Sequence, residues 1–155
     1  MKISKFLTTA AIAAVLCLHA SPASAAPEVA TPLRYELMDK AVYKEDAPTV
    51  FPAELMKLEG KRVRVSGFVV PYDDPEKMSK FLMVKSTNGC FYCNPPGENE
   101  VLFIRLSAKE KPPEMDGEKL VVEGTLHLRN AESKDEEAKQ FVFTIDDAKL
   151  IPAGH

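Results

Sequence analysis

Cys90 and Cys93 stand three positions apart in the stretch NGCFYCNPPGENE, residues 88–100. Three chemistries are open to such a pair. As thiolates the two sulfurs can chelate one soft ion, zinc or cuprous copper. A tetrahedral zinc would need two further ligands, and Glu98, Glu100 and His127 are the candidates. An exposed strand histidine without a role is the competing reading of His127, solvated acids that of Glu98 and Glu100, and His155 ends the chain. In an oxidising compartment the same cysteines close a disulfide. Chain entropy gives so small a loop roughly 2 kcal/mol, from which ring strain is subtracted. A redox site is the third chemistry. It wants its first thiol at a helix N-terminus, whereas Pro95 and Pro96 remove two donors and block a helix. No histidine follows Cys93, so the haem-attachment pattern is excluded. Phe91 and Tyr92, with Pro95 and Pro96, are candidate partner-binding residues. Alternatively the two aromatics fold down as a lid on the core.

Compartment decides among these chemistries, and the first residues address it. Lys2 and Lys5 precede an apolar run from Phe6 to Leu18, followed by the small residues Ala20–Ala26 with Ala23-Ser24-Ala25 among them. That pattern predicts a cleaved secretory signal peptide over residues 1–25 and a periplasmic mature protein. The run is shorter than the ~20 apolar residues of a membrane-spanning helix, so no stable membrane insertion is expected after cleavage. Leu16 before Cys17 does not fit a lipidation site, which wants a small residue there. The leader carries two lysines and no acid, so its removal takes the formal charge from −3 to −5. Lys61, Arg62 and Arg64 are then read as a solvated strand face rather than a nucleic-acid stripe.

One domain's worth of chain remains. Residues 26–49 are broken by Pro27, Pro32 and Pro48 and read as an extended lead-in, with room for a helical turn around Leu37–Val42. FPAELMKLEGK predicts a short helix, with Pro52 near its start and Gly60 at its C-terminal cap. Val63, Val65, Gly67 and Val69 then alternate with polar residues as a half-buried strand. FLMV (81–84), VLFIRL (101–106), KLVVEGTLHL (119–128) and QFVFTI (140–145) complete five strands. Gly67 and Gly124 interrupt long strands where a small barrel needs a bend. The expected fold is all-β: a five-stranded OB-like barrel over residues 50–155 with a short N-terminal helix. Asp73-Asp74 and Asp146-Asp147 read as turns or strand ends, and Ser66, Ser86 and Ser107 lack the setting of a nucleophile.

FPAELMKLEGKRVRVSGFVVP, the cysteine-proline loop, ENEVLFIRL and GEKLVVEGTL together resemble DUF3299, a group of exported bacterial proteins of unknown function. The similarity runs from about Phe51 to Ile151. It implies an exported small β domain, with some members encoded beside transporters that include zinc-supply systems, and no established activity. Where this chain has Pro95-Pro96-Gly97 and Asn99-Glu100, the family loop has a longer proline run ending in Asn-Gln. Many members also carry a histidine near the first cysteine, where this chain has Tyr92 and Cys93. Alternation of cysteine with histidine suits a metal ligand better than a disulfide.

The function expected from the sequence is that of a non-enzymatic periplasmic accessory protein. Its Cys-x-x-Cys-Asn-Pro-Pro loop binds zinc or copper beside an envelope transporter or metal-handling protein. The alternative is an interaction module with a Cys90–Cys93 disulfide; a thiol-disulfide redox protein comes third. Intact-mass measurement of envelope-extracted protein should give a chain starting near Ala26. A retained leader or a lipid-modified Cys17 would contradict the export reading.

Overall fold

Alternating side chains give each strand one face for a core, and closing a sheet on itself removes its edges. The computed structural model describes residues 29–44, 47–72, 74–86, 93, 95–114, 116–128 and 137–152. In chain order these form β1 (Thr31–Pro32), α1 (Tyr35–Met38), β2 (Val42–Lys44), β3 (Ala47–Val50), α2 (Ala53–Met56) and β4 (Arg62–Pro71). β5 (Lys80–Val84), β6 (Val101–Leu106), β7 (Leu120–Leu128) and β8 (Phe143–Ile151) follow. Strands β4 to β8 close a mixed barrel in the order β4-β5-β6-β8-β7 and back to β4, with β6 and β8 parallel. The OB-like expectation is met. The short-helix content is two single-turn helices rather than one.

Closure depends on β4 serving two neighbours. Arg62–Gly67 pair with β7, and Phe68–Pro71 pair with β5. Gly67 therefore sits where the partner changes. A β-carbon there would stand 2.6 Å from the Tyr35 hydroxyl and 2.7 Å from the Val84 carbonyl oxygen. Gly124 is equally constrained, since a β-carbon would collide with the Ile145 side chain. Opposite it, β8 bulges at Asp147, whose φ of 48° is left-handed, a region asparagine and aspartate tolerate better than most residues.

That bulge corrects the last strand. The expectation ended it at Ile145 and read Asp146-Asp147 as a terminus, but β8 begins at Phe143 and continues to Ile151. The lead-in also differs in detail. Its helical turn starts two residues earlier, at Tyr35, so that Tyr35 and Met38 share one face and are buried with Leu33 and Ala41. α2 is capped by Pro52 as expected. It ends by Met56, leaving Gly60 to close the following turn at a φ of 69°.

The barrel interior is filled by Val63, Val65, Phe81, Met83, Leu102, Ile104, Val122, Leu126, Phe143 and Ile145. Leu120, expected with them, is half-buried and packs against the cluster. A second apolar layer covers the outside of β5 and β6. Phe103 stacks on Phe141 with ring centroids 4.6 Å apart, and Tyr72 meets both edge-on, over Val70, Val84 and Val101. No helix among the described residues is long and apolar enough to cross a membrane. Val65→Asp should unfold the domain, because an unpaired carboxylate in this interior costs several kcal/mol, comparable to the whole stability. Far-UV circular dichroism should show the loss; unchanged melting would mean the strand faces are reversed.

Candidate functional site: the base of the cysteine loop

The loop that carries the cysteines leaves β5 at Lys85 and returns at Val101. Cys90, Phe91 and Tyr92 lie outside the described residues, as do the leader, Asp73, the charged turn 129–136 and His155. Cys93 is exposed at a turn and is engaged with a partner. Pro95 is exposed and Pro96 half-buried. From Gly97 the chain makes a single 3-10 turn, Glu98–Glu100. The Gly97 N–H donates to Glu100 Oε2 at 2.9 Å, and the Glu100 N–H donates to the Gly97 carbonyl at 2.9 Å. Glu100 thus holds its own turn closed, whereas Glu98 is exposed.

Helix α1 holds both arms of this loop. On the outgoing arm, Lys85 Nζ lies 3.3 Å from Glu36 Oε1 and 4.0 Å from Asp39 Oδ2. On the return arm, Asn99 Nδ2 donates to the Asp39 carbonyl at 3.4 Å. Glu36's own backbone N–H, and then Lys85, hold its carboxyl below the usual value. Beneath these exposed contacts, Tyr35 turns inward. Its hydroxyl lies over Gly67 and has no hydrogen-bond partner, and burial pushes its pKa well above the usual phenol range.

His127 belongs to a different cluster. Its Nδ1 lies 3.1 Å from Glu59 Oε1 and its Nε2 lies 3.8 Å from Asp146 Oδ2. Glu59 also accepts the Leu128 N–H at 2.6 Å, and Arg105 grips Asp146 with two hydrogen bonds. The histidine therefore faces carboxylates on both sides, and none of Cys93, Glu98 or Glu100 is among these partners. Among the described residues no group of three His, Cys, Asp or Glu side chains is arranged to hold a metal ion. Of the expected site residues the structure gathers Cys93, Pro95, Pro96, Glu98 and Glu100 in one segment and places His127 apart. Sequence reasoning missed Glu36, Asp39 and Lys85, whose only sequence signal was charge at a helix end and a strand end.

Two predictions follow from these contacts. In an NMR titration the Glu36 carboxyl should ionise below the ~4.3 of free glutamate. A depressed carboxyl means that the Lys85 tether contributes above that pH and is lost as pH falls through the lowered value. Lys85→Ala should return the midpoint only part of the way, because the backbone hydrogen bond is the larger cause. Glu59→Ala should cost about 1 kcal/mol in urea unfolding, the scale of one hydrogen bond, without changing the metal affinity of reduced protein. A drop in that affinity would place the His127 cluster at the metal site.

A family model described as "Protein of unknown function (DUF3299)" matches residues 50–150. A crystal structure of a DUF3299 family protein from Pseudomonas aeruginosa PAO1 shares the fold, with a TM-score of 0.52 at 16% identity. That match covers 81% of this chain and 99% of the other. No curated protein matches the chain.

Proposed function

The chain belongs to the DUF3299 family, proteins of unknown function, and from that premise we propose a non-enzymatic accessory protein of the periplasm whose cysteine loop is its binding surface. One observation carries the reading: a single helix, α1, tethers both arms of the loop. An ordinary surface connection has no need of such support, whereas a binding loop gains from being presented in a fixed place.

When reduced, Cys90 and Cys93 chelate zinc or cuprous copper. Glu100 already caps its turn and His127 already faces Glu59 and Asp146, so the two thiolates act without them. Glu98 or exogenous ligands complete the shell. An incompletely enclosed ion exchanges readily, which suits handing metal to or from an envelope transporter better than retaining it. The prolines after Cys93 stiffen the loop and reduce the entropy lost on binding.

When oxidised, the pair closes a disulfide and the loop serves as a protein-interaction surface, with Phe91, Tyr92, Pro95 and Pro96 as its contacts. The engagement of Cys93 favours this second reading. Nucleic acid is not the ligand in either. The outer face of β5 and β6, where OB folds take oligonucleotides, carries this protein's own Tyr72, Phe103 and Phe141.

Thiol counting on anaerobically extracted protein, followed by zinc and cuprous titration, tests both forms. Wild type should bind one ion with an affinity that falls steeply as pH drops, because protons compete for the thiolates. Cys90→Ser and Cys93→Ser should each abolish binding. A fully oxidised native pair whose reduced form binds no metal at micromolar levels would leave the interaction module alone standing.

A further inference from the structure

Residues 29–44 touch the barrel in an unusual way. The hydrogen bonds to it are sparse: β1 pairs with β4 in parallel over Thr31 and Pro32 alone, and Leu33 N–H donates to the Arg64 carbonyl at 2.8 Å. β2 pairs not with the barrel but with β3, in a separate two-stranded sheet. Docking therefore rests on four buried side chains, Leu33, Tyr35, Met38 and Ala41. One of the four carries a cost. The Tyr35 hydroxyl is sealed from solvent with no partner, and a buried donor left unpaired weakens whatever arrangement buries it. Undocking returns that hydroxyl to water. The family match, moreover, begins at residue 50, so this segment lies outside the stretch the family model describes.

We propose that residues 29–44 are a releasable strap: docked, it holds the cysteine loop by both arms through Glu36 and Asp39; released, it frees them together. The functional sense of this device rests on the loop being the binding surface, but its mechanics do not. Both tethers come from one short helix, so they are made or lost as a unit rather than one at a time. All the tethering side chains are exposed or half-buried, so salt and acid weaken the grip from outside while the Tyr35 hydroxyl weakens it from within. The strap thus supplies the two-state element that a switch at the loop requires. A partner that displaces α1 would gain access to the loop and to the apolar footprint beneath Tyr35 and Met38 in the same step.

Native-state hydrogen exchange on the mature protein, with no metal or partner added, tests the strap separately from the binding reading. Amides of residues 37–41 should exchange through an opening that leaves β6 and β8 protected. Tyr35→Phe removes the unpaired hydroxyl and should slow those amides roughly tenfold, within the range expected for relieving one such group. Lys85→Ala combined with Asn99→Ala cuts the tethers, and should speed exchange at Ser86 and Glu100 while the amides of residues 37–41 keep their wild-type rates. Strap amides protected as strongly as the barrel's would overturn the proposal, as would a Tyr35→Phe protein with unslowed exchange. Unchanged exchange at Ser86 and Glu100 in the double variant would show that the tethers do not hold the loop. Failure of metal or partner binding would leave all these readouts unaffected.

Discussion

A missing β-carbon at Gly67 is the constraint on which the structure turns. β4 must bond to β7 with one half and to β5 with the other, and the exchange happens at this residue. The backbones of β4 and β5 and the side chain of Met83 crowd so closely there that any side chain would meet them. The same gap receives the tip of Tyr35, which brings α1 onto the barrel beside the start of the cysteine loop. Barrel closure, helix docking and loop presentation therefore meet at one point. The account of function is built on that coincidence.

The barrel has two unlike outer faces. Around β4, β7 and β8 the surface is a ladder of charge: Arg64 with Glu123, Arg62 with Asp147, Arg105 with Asp146, and His127 between Glu59 and Asp146. Exposed pairs of this kind add little stability each, but they keep this part of the surface polar. Over β5 and β6 the outside is apolar and covered by aromatic rings drawn from the flanking loops. An OB-like barrel that covers this face with its own side chains must place its working surface elsewhere, and the best supported loop is the one carrying the cysteines.

Much of the fold was legible in the sequence because strand periodicity is a local signal. The alternation in KRVRVSGFVV and KLVVEGTLHL marks strands with one polar face, and Gly67 and Gly124 mark the bends between them. The continuous apolar runs FLMV and VLFIRL already carried the signature of strands buried on both faces, which the second apolar layer explains. What stayed hidden was non-local. Asp146-Asp147 looked like an ending because two acids favour turns, and only the partner Gly124 on β7 shows that a bulge carries β8 onward. The pairing of Lys85 with Glu36 and Asp39 spans some fifty residues, and no periodicity encodes such a contact. The cysteine pair was conspicuous from the start, but its support came from a lead-in whose prolines suggested extended chain.

A double-mutant cycle between Gly67 and Tyr35, read by urea unfolding, tests the central claim most directly. Gly67→Ala places a methyl group against the Tyr35 hydroxyl, and Tyr35→Phe removes that hydroxyl while leaving the ring. If closure and helix docking share this space, Gly67→Ala will cost less in the Tyr35→Phe background than in wild type, with a coupling of about 1 kcal/mol. Costs that add to within ~0.3–0.5 kcal/mol, the behaviour of independent sites, would contradict the account: α1 and the cysteine loop it carries would then be attached to the barrel by something other than the gap at Gly67.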